Sequence, residues 1–189
     1  IYWFVIATSL KDGIGHWIVE RAAQGGVASY QKIEISGFPF NFKVSLMGPK
    51  LLVSNVGPAG KLDLDSKKWL WQGGRAEANM TPWNFRKFDV DLSGSHVVSF
   101  EDKGGSFHFT GAAQKVLLEA EIFSDGWPEK FQLDIAGLKM SETKSKAIVA
   151  ATSAAVTSQR LFPGVKAGSI GAKTPTYTLQ AKLQGVRLP

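Results

Sequence analysis

The sequence predicts a mainly β fold of the α+β type, with curved antiparallel sheet following an N-terminal amphipathic helix. Three observations predict it. Phe40, Phe42, Val44 and Leu46 alternate with Asn41, Lys43 and Ser45, the period of a strand with one buried face. A strand-and-glycine phrase recurs: QKIEISG at 31–37, FDVDLSG at 88–94, FQLDIAG at 131–137 and LQAKLQG at 179–185, closing on Gly37, Gly94, Gly137 and Gly185. A single strong helical stripe precedes them. With 20 Gly and 8 Pro in 189 residues, the chain is richer in turn formers than a helical bundle needs.

The helix comes first. Leu10, Ile14, Trp17, Ile18 and Ala22 share one face of a 3.6-residue period, with Lys11, Asp12, His16, Glu20 and Arg21 largely off it. Ser9 is placed to cap it and Gly25-Gly26 to end it, so the pattern predicts a helix over about 8–24. Ahead of it, Ile1, Tyr2, Trp3, Phe4, Val5, Ile6 and Ala7 are all apolar or aromatic. Seven helical residues rise only about 10 Å, well short of a ~30 Å hydrocarbon layer. The expectation is therefore the end of a longer membrane anchor, with Ile1–Ile6 in contact with lipid and Tyr2 and Trp3 at the water boundary. A buried strand or a core helix turn is the competing reading. The chain divides into 1–26, anchor end plus helix, and 27–189, a β-rich domain.

Beyond the four phrases, strands are predicted at 50–56, 68–72, 75–80, 95–101, 106–111 and 115–123. Residues 95–111 read as a hairpin turning at Asp102-Lys103-Gly104-Gly105. Strands with one oily face pair into a sheet whose apolar side needs a cover: a helix, a second sheet or something greasy. The Ala-rich stretch near 141–160, with Ile148, Ala151, Ala155 and Gln159 spaced helically, predicts a second helix stopped by Pro163-Gly164. Residues 163–176 read as a loop.

The absence of cysteine excludes disulfide scaffolds, CxxC redox chemistry and Cys-based zinc sites. Twenty-two Lys and Arg against 16 acids give +6, an ordinary solubilising surface for a domain of this size. The basic residues are scattered and no RNP or helix-turn-helix pattern accompanies them, so no nucleic-acid partner is expected. His96 and His108 stand on the two arms of the predicted hairpin near Glu101 and Asp102, an incomplete metal set. Asp63 and Asp65 share a strand face and are the best carboxylate pair for acid–base work, with no third group to complete a site. No GxSxG, Walker or GxGxxG motif occurs, so neither enzymatic activity nor a cofactor is expected.

The stretch YQKIEISGFPFNFKVSLMGP at 30–49 resembles the diagnostic motif of the DUF2125 family of bacterial envelope proteins. Tyr2-Trp3-Phe4, the helix holding Trp17, Trp69 and Trp71, Pro82-Trp83 and the closing LQGVRLP are similar to that family's pattern as well. The resemblance implies an anchored or exported protein on the periplasmic face of the inner membrane and carries no catalytic residue with it. The GFPF phrase also resembles AsmA-like lipid-handling proteins, by analogy only. Phe38, Phe40 and Phe42 flank the corner that Gly37 and Pro39 impose. They are either a core plug or an oily lip for an apolar ligand. The expected function is a non-enzymatic, membrane-anchored envelope protein that binds or shields lipid. The alternative is an accessory subunit of a larger membrane complex, with other subunits as partners.

Overall fold

The structure, a computed structural model, describes residues 2–23, 26–54, 68–102, 105–123, 128–161 and 177–188. Among these residues one helix, α1 (Tyr2–Ala23), precedes thirteen strands in one antiparallel sheet: β1 (Val27–Ser29), β2 (Lys32–Ser36), β3 (Phe42–Met47), β4 (Lys50–Ser54), β5 (Lys68–Gly73), β6 (Arg75–Thr81), β7 (Asn84–Asp91), β8 (Gly94–Asp102), β9 (Gly105–Ala113), β10 (Lys115–Ile122), β11 (Pro128–Glu142), β12 (Ile148–Arg160) and β13 (Tyr177–Gln184). The sheet curls into a half-barrel with the helix against its inner face.

The strand order looks tangled but has a simple cause. β1 pairs with β4 and β2 with β3, in registers that place β1–β2 beside β3–β4 as two continuous, kinked paths. The same holds for β5–β6, β7–β8 and β9–β10. β11 then runs the full length, pairing with β10 through residues 128–136 and with β9 through residues 139–142. The sheet is thus an up-and-down meander crossed by one line of kinks. Three of the four phrase glycines, Gly94, Gly137 and Gly185, lie on that line with Gly48, all with positive φ (111°, 61°, 60° and 58°). There a glycine lets the strand bulge without a Cβ penalty. Gly37 differs: it opens the hairpin tip between β2 and β3, where Asn41 N–H donates back to its carbonyl.

Alternation sorts the faces. One row runs in register from Ile35 through Val44, Ala78, Val90, Leu118, Leu133 and Val156 to Ala181. The row beside it carries Glu34, Ser45, Glu77, Asp91, Asp134 and Lys182 on the outer face, interrupted by Leu117 and Ala155. Glu77 gathers Lys43, Ser45 and Arg75 there, which holds its carboxyl below the ordinary range against the cost of burial.

Two expectations are corrected. The helix begins at Tyr2 rather than near residue 8, because the apolar start continues the same helical run. Leu10, Ile14 and Ile18 face inward and are half-buried, while Trp17 and Ala22 are exposed. With Phe4, Val5 and Val19 also exposed, the helix is apolar on both sides rather than strictly amphipathic. Among the described residues, no helix is long and apolar enough to cross a membrane. The predicted helix near 141–160 is instead strand: Ser141 and Glu142 end β11, and β12 follows. Alanine favours a helix, but Ile148, Val149, Thr152, Val156 and Thr157 are β-branched, and β12 has a partner strand on either edge. The hairpin holds, with Asp102 opposite Gly105. Its two histidines do not meet. His96 pairs across to Gly111, whereas His108 pairs with Ser99 on the opposite face and its Nδ1 lies 2.7 Å from Ser99 Oγ. Asp63, Asp65, Ile1 and the predicted loop 163–176 lie outside the described residues.

Candidate functional site

The inner face of the half-barrel meets the helix across a gap. Ile6, Leu10 and Ile14 look across at Val44, Ala78 and Val90 and their neighbours, and the space between is about 540 Å³. That lies within the ~300–1,000 Å³ of small-molecule sites. The helix does not press on the sheet through its glycines: a Cβ at Gly13 or Gly15 would meet nothing within 4 Å. Past β7 the same apolar face continues. Leu118, Leu133, Ile135 and Val156 remain only half-buried. The buried apolar side chains among the described residues are Ala28, Phe42, Val44, Ala76, Ala113, Val116 and Met140, of which Phe42 alone is both large and wholly buried.

One end of this groove is closed by aromatics. The Trp3 ring stacks on Phe42 at 5.3 Å and 14°, and its Nε1–H donates to the Asn41 carbonyl at 3.2 Å. Phe85 packs on Phe42 at 5.8 Å, and Phe38 meets both Trp3 and Phe4. The residues expected to form a lip therefore divide. Phe42 is 0% exposed and plugs the corner, whereas Phe38 and Phe40 are 64% and 73% exposed. The expected membrane-contact set divides too: Trp3 and Ile6 face the sheet, while Phe4 and Val5 point outward.

Sequence reasoning missed a second tip. From the β6–β7 turn into β7 the chain reads Pro82-Trp83-Asn84-Phe85-Arg86, and from the β2–β3 turn into β3 it reads Pro39-Phe40-Asn41-Phe42-Lys43. The two share the phrase proline, aromatic, asparagine, phenylalanine, base. The tip rings match, since Phe40 and Trp83 are each 73% exposed; behind them Phe42 and Phe85 touch, but Phe42 is sealed and Phe85 is 39% exposed. Comparing the two hairpins in the sequence would have found it.

Residues 3–189 match the family described as "Uncharacterized protein conserved in bacteria (DUF2125)". The chain belongs to the DUF2125 family. The resemblance carried by the GFPF stretch thus extends over nearly the whole chain. No curated protein and no solved structure matches the chain, so the fainter AsmA-like likeness gains no support. In this DUF2125 chain no group of three or more His, Asp or Glu among the described residues is placed to hold a metal ion.

A buried histidine marks the kink line. His96 Nδ1 accepts from Trp71 Nε1–H at 3.3 Å, which leaves the proton on Nε2, and Nε2 is buried without a partner among the described residues. Burial pushes its pKa below the ordinary 6.5. The unfolded chain takes up a proton below 6.5 while folded His96 stays neutral, so stability is full above that value and falls as pH drops through it. The expected result is a denaturation midpoint that falls between about pH 7.5 and about pH 5.5, with a shallower fall in His96→Gln, whose amide oxygen can still accept from Trp71. Equal slopes for the two proteins would refute the assignment.

Proposed function

We propose that this chain is a non-enzymatic, membrane-anchored envelope protein on the periplasmic face of the inner membrane, and that it holds or shields a lipid or another apolar ligand in its inner groove. The observation that carries the reading is the apolar inner face, continuous across the sheet and left half-open beyond β7. Each methylene moved from water onto such a wall is worth about 0.8 kcal/mol, so even part of an acyl chain would be held. The anchored setting draws on the apolar start, where Phe4 and Val5 are exposed on the outer side of α1.

Native mass spectrometry of the purified chain, followed by solvent extraction, tests this. Wild type is expected to carry lipid. Ala78→Trp, which puts an indole into the groove beside Val44 and Val90, is expected to carry at least tenfold less while folding normally, since the groove can accept the ring. Lipid-free wild type, or equal loading of both proteins, would sink the reading.

The accessory-subunit reading keeps one observation in its favour. Among the described residues β13 pairs only with β12, its inner residues Leu179 and Leu183 are exposed, and an unpaired edge strand is a template for another chain.

A further inference from the structure

We infer that the paired hairpin tips, Pro39–Lys43 and Pro82–Arg86, form a wedge that docks the groove's aromatic end onto an anionic phospholipid bilayer. This deepens the function proposed above and rests on its membrane setting.

Three features of the tips point to a bilayer. The first is repetition: the same five-residue phrase is presented twice, on neighbouring hairpins at one end of the sheet. Isolated exposed aromatics are ordinary, but two at matching positions of a repeated phrase are not explained by chance exposure. The second is chemistry. Phe40 and Trp83 project from the tips with Phe38 and Phe4 beside them, and Phe4 stacks on Phe38 at 6.1 Å, which joins the helix start to the first tip. Aromatic rings on a rigid turn suit the headgroup layer, where one edge is wet and the other apolar. The third is charge. Neither 37–43 nor 81–88 contains an acid, and Arg86 and Lys87 are exposed behind the second tip, Lys87 opposite Glu121, whereas Lys43 behind the first tip is held by Glu77. Arg86 and Lys87 follow the Trp83 ring by three and four residues, about 10 Å up an extended strand, which sets them toward the phosphate layer when the ring is inserted. The tips are also stiff. Phe42 and Phe85 lock their bases together, and Asn84 Oδ1 accepts from Arg86 N–H, so little ordering cost falls on insertion.

The test is flotation of the full chain with vesicles of phosphatidylglycerol and phosphatidylethanolamine, against vesicles of phosphatidylcholine alone. Phe40→Ser combined with Trp83→Ser changes only exposed side chains and is expected to lower partitioning onto both kinds of vesicle roughly tenfold. Arg86→Gln with Lys87→Gln is expected to cost about tenfold on the phosphatidylglycerol vesicles and little on phosphatidylcholine. Circular dichroism confirms that each variant folds. If both double variants float like wild type on phosphatidylglycerol vesicles, the wedge is wrong. The lipid carried by the same variants is read separately by native mass spectrometry. Weakened flotation with the carried lipid intact supports the wedge. Weakened flotation of the variants, together with a wild type that carries no lipid, leaves the wedge standing and removes the groove reading.

Discussion

Replacing Phe42 by alanine is expected to lower the unfolding free energy by about 3–5 kcal/mol, read by urea denaturation. Phe42 is the only large side chain among the described residues that is wholly withdrawn from water. Its ring fills the corner where β3 begins, with Trp3 stacked on one side and Phe85 on the other. The cost has two parts. Apolar surface is no longer buried, and a cavity is left between Trp3 and Phe85 that the surrounding strands fill only in part. Each aromatic pair adds about 0.5–1.5 kcal/mol beyond its buried area. Against total stabilities of about 5–15 kcal/mol, this is a large share. Phe40→Ala, two residues away and exposed, is the control and is expected within about 0.5 kcal/mol of wild type. Trp3→Ala should couple to Phe42→Ala in a double-mutant cycle, because each removes the other's partner. A loss below about 1 kcal/mol for Phe42→Ala would mean that the helix is not fastened to the sheet at this corner.

That corner shows how far the sequence could be read. The alternation of Phe40, Phe42, Val44 and Leu46 announced a strand with one oily face, and the face is where alternation put it. Alternation cannot rank residues along a face, however. Phe42 and Phe40 have the same parity, yet one is sealed and the other stands in water, because β3 starts between them and only Phe42 lies beneath Trp3. The recurring glycine was legible as punctuation but not as geometry. Gly94, Gly137 and Gly185 mark one line across the sheet, whereas Gly37 marks a tip, and only strand pairing separates the two uses. β12 was misread because local preference for helix competes with two flanking strands that lie far from it in sequence. The groove was legible only as a requirement: a one-sided sheet needs a cover. That the helix covers β3, β6 and β7 and leaves β10 to β12 open depends on where one tryptophan docks.

Substituting Gly111 by valine is expected to cost about 3 kcal/mol or more, although nothing in the phrase FTGAA marks it as special. Gly111 lies opposite Met140, where β11 has left β10 and begins to pair with β9. The chain curls so sharply there that a Cβ at 111 would run into the Lys139 carbonyl oxygen and stand 2.7 Å from Met140 Cα. Both obstacles are backbone, so no rotamer change relieves the clash. The strands must part, and the β9–β11 hydrogen bonds are lost with them. Two other glycines separate this mechanism from glycine effects in general. Gly94 has open space around it and a φ of 111°, so Gly94→Ala carries conformational strain without collision and is expected to cost about 1 kcal/mol. Gly13 lies within α1 with open space, so Gly13→Ala is expected to stabilise by up to about 1 kcal/mol. Amide exchange gives the location. In Gly111→Val, protection should fall first at residues 109–112 and 139–142, the seam that turns a flat meander into a curved wall. If the variant were as stable as wild type, the curl at this seam would have to be shallower than described, and the inner face flatter and less able to surround an apolar chain.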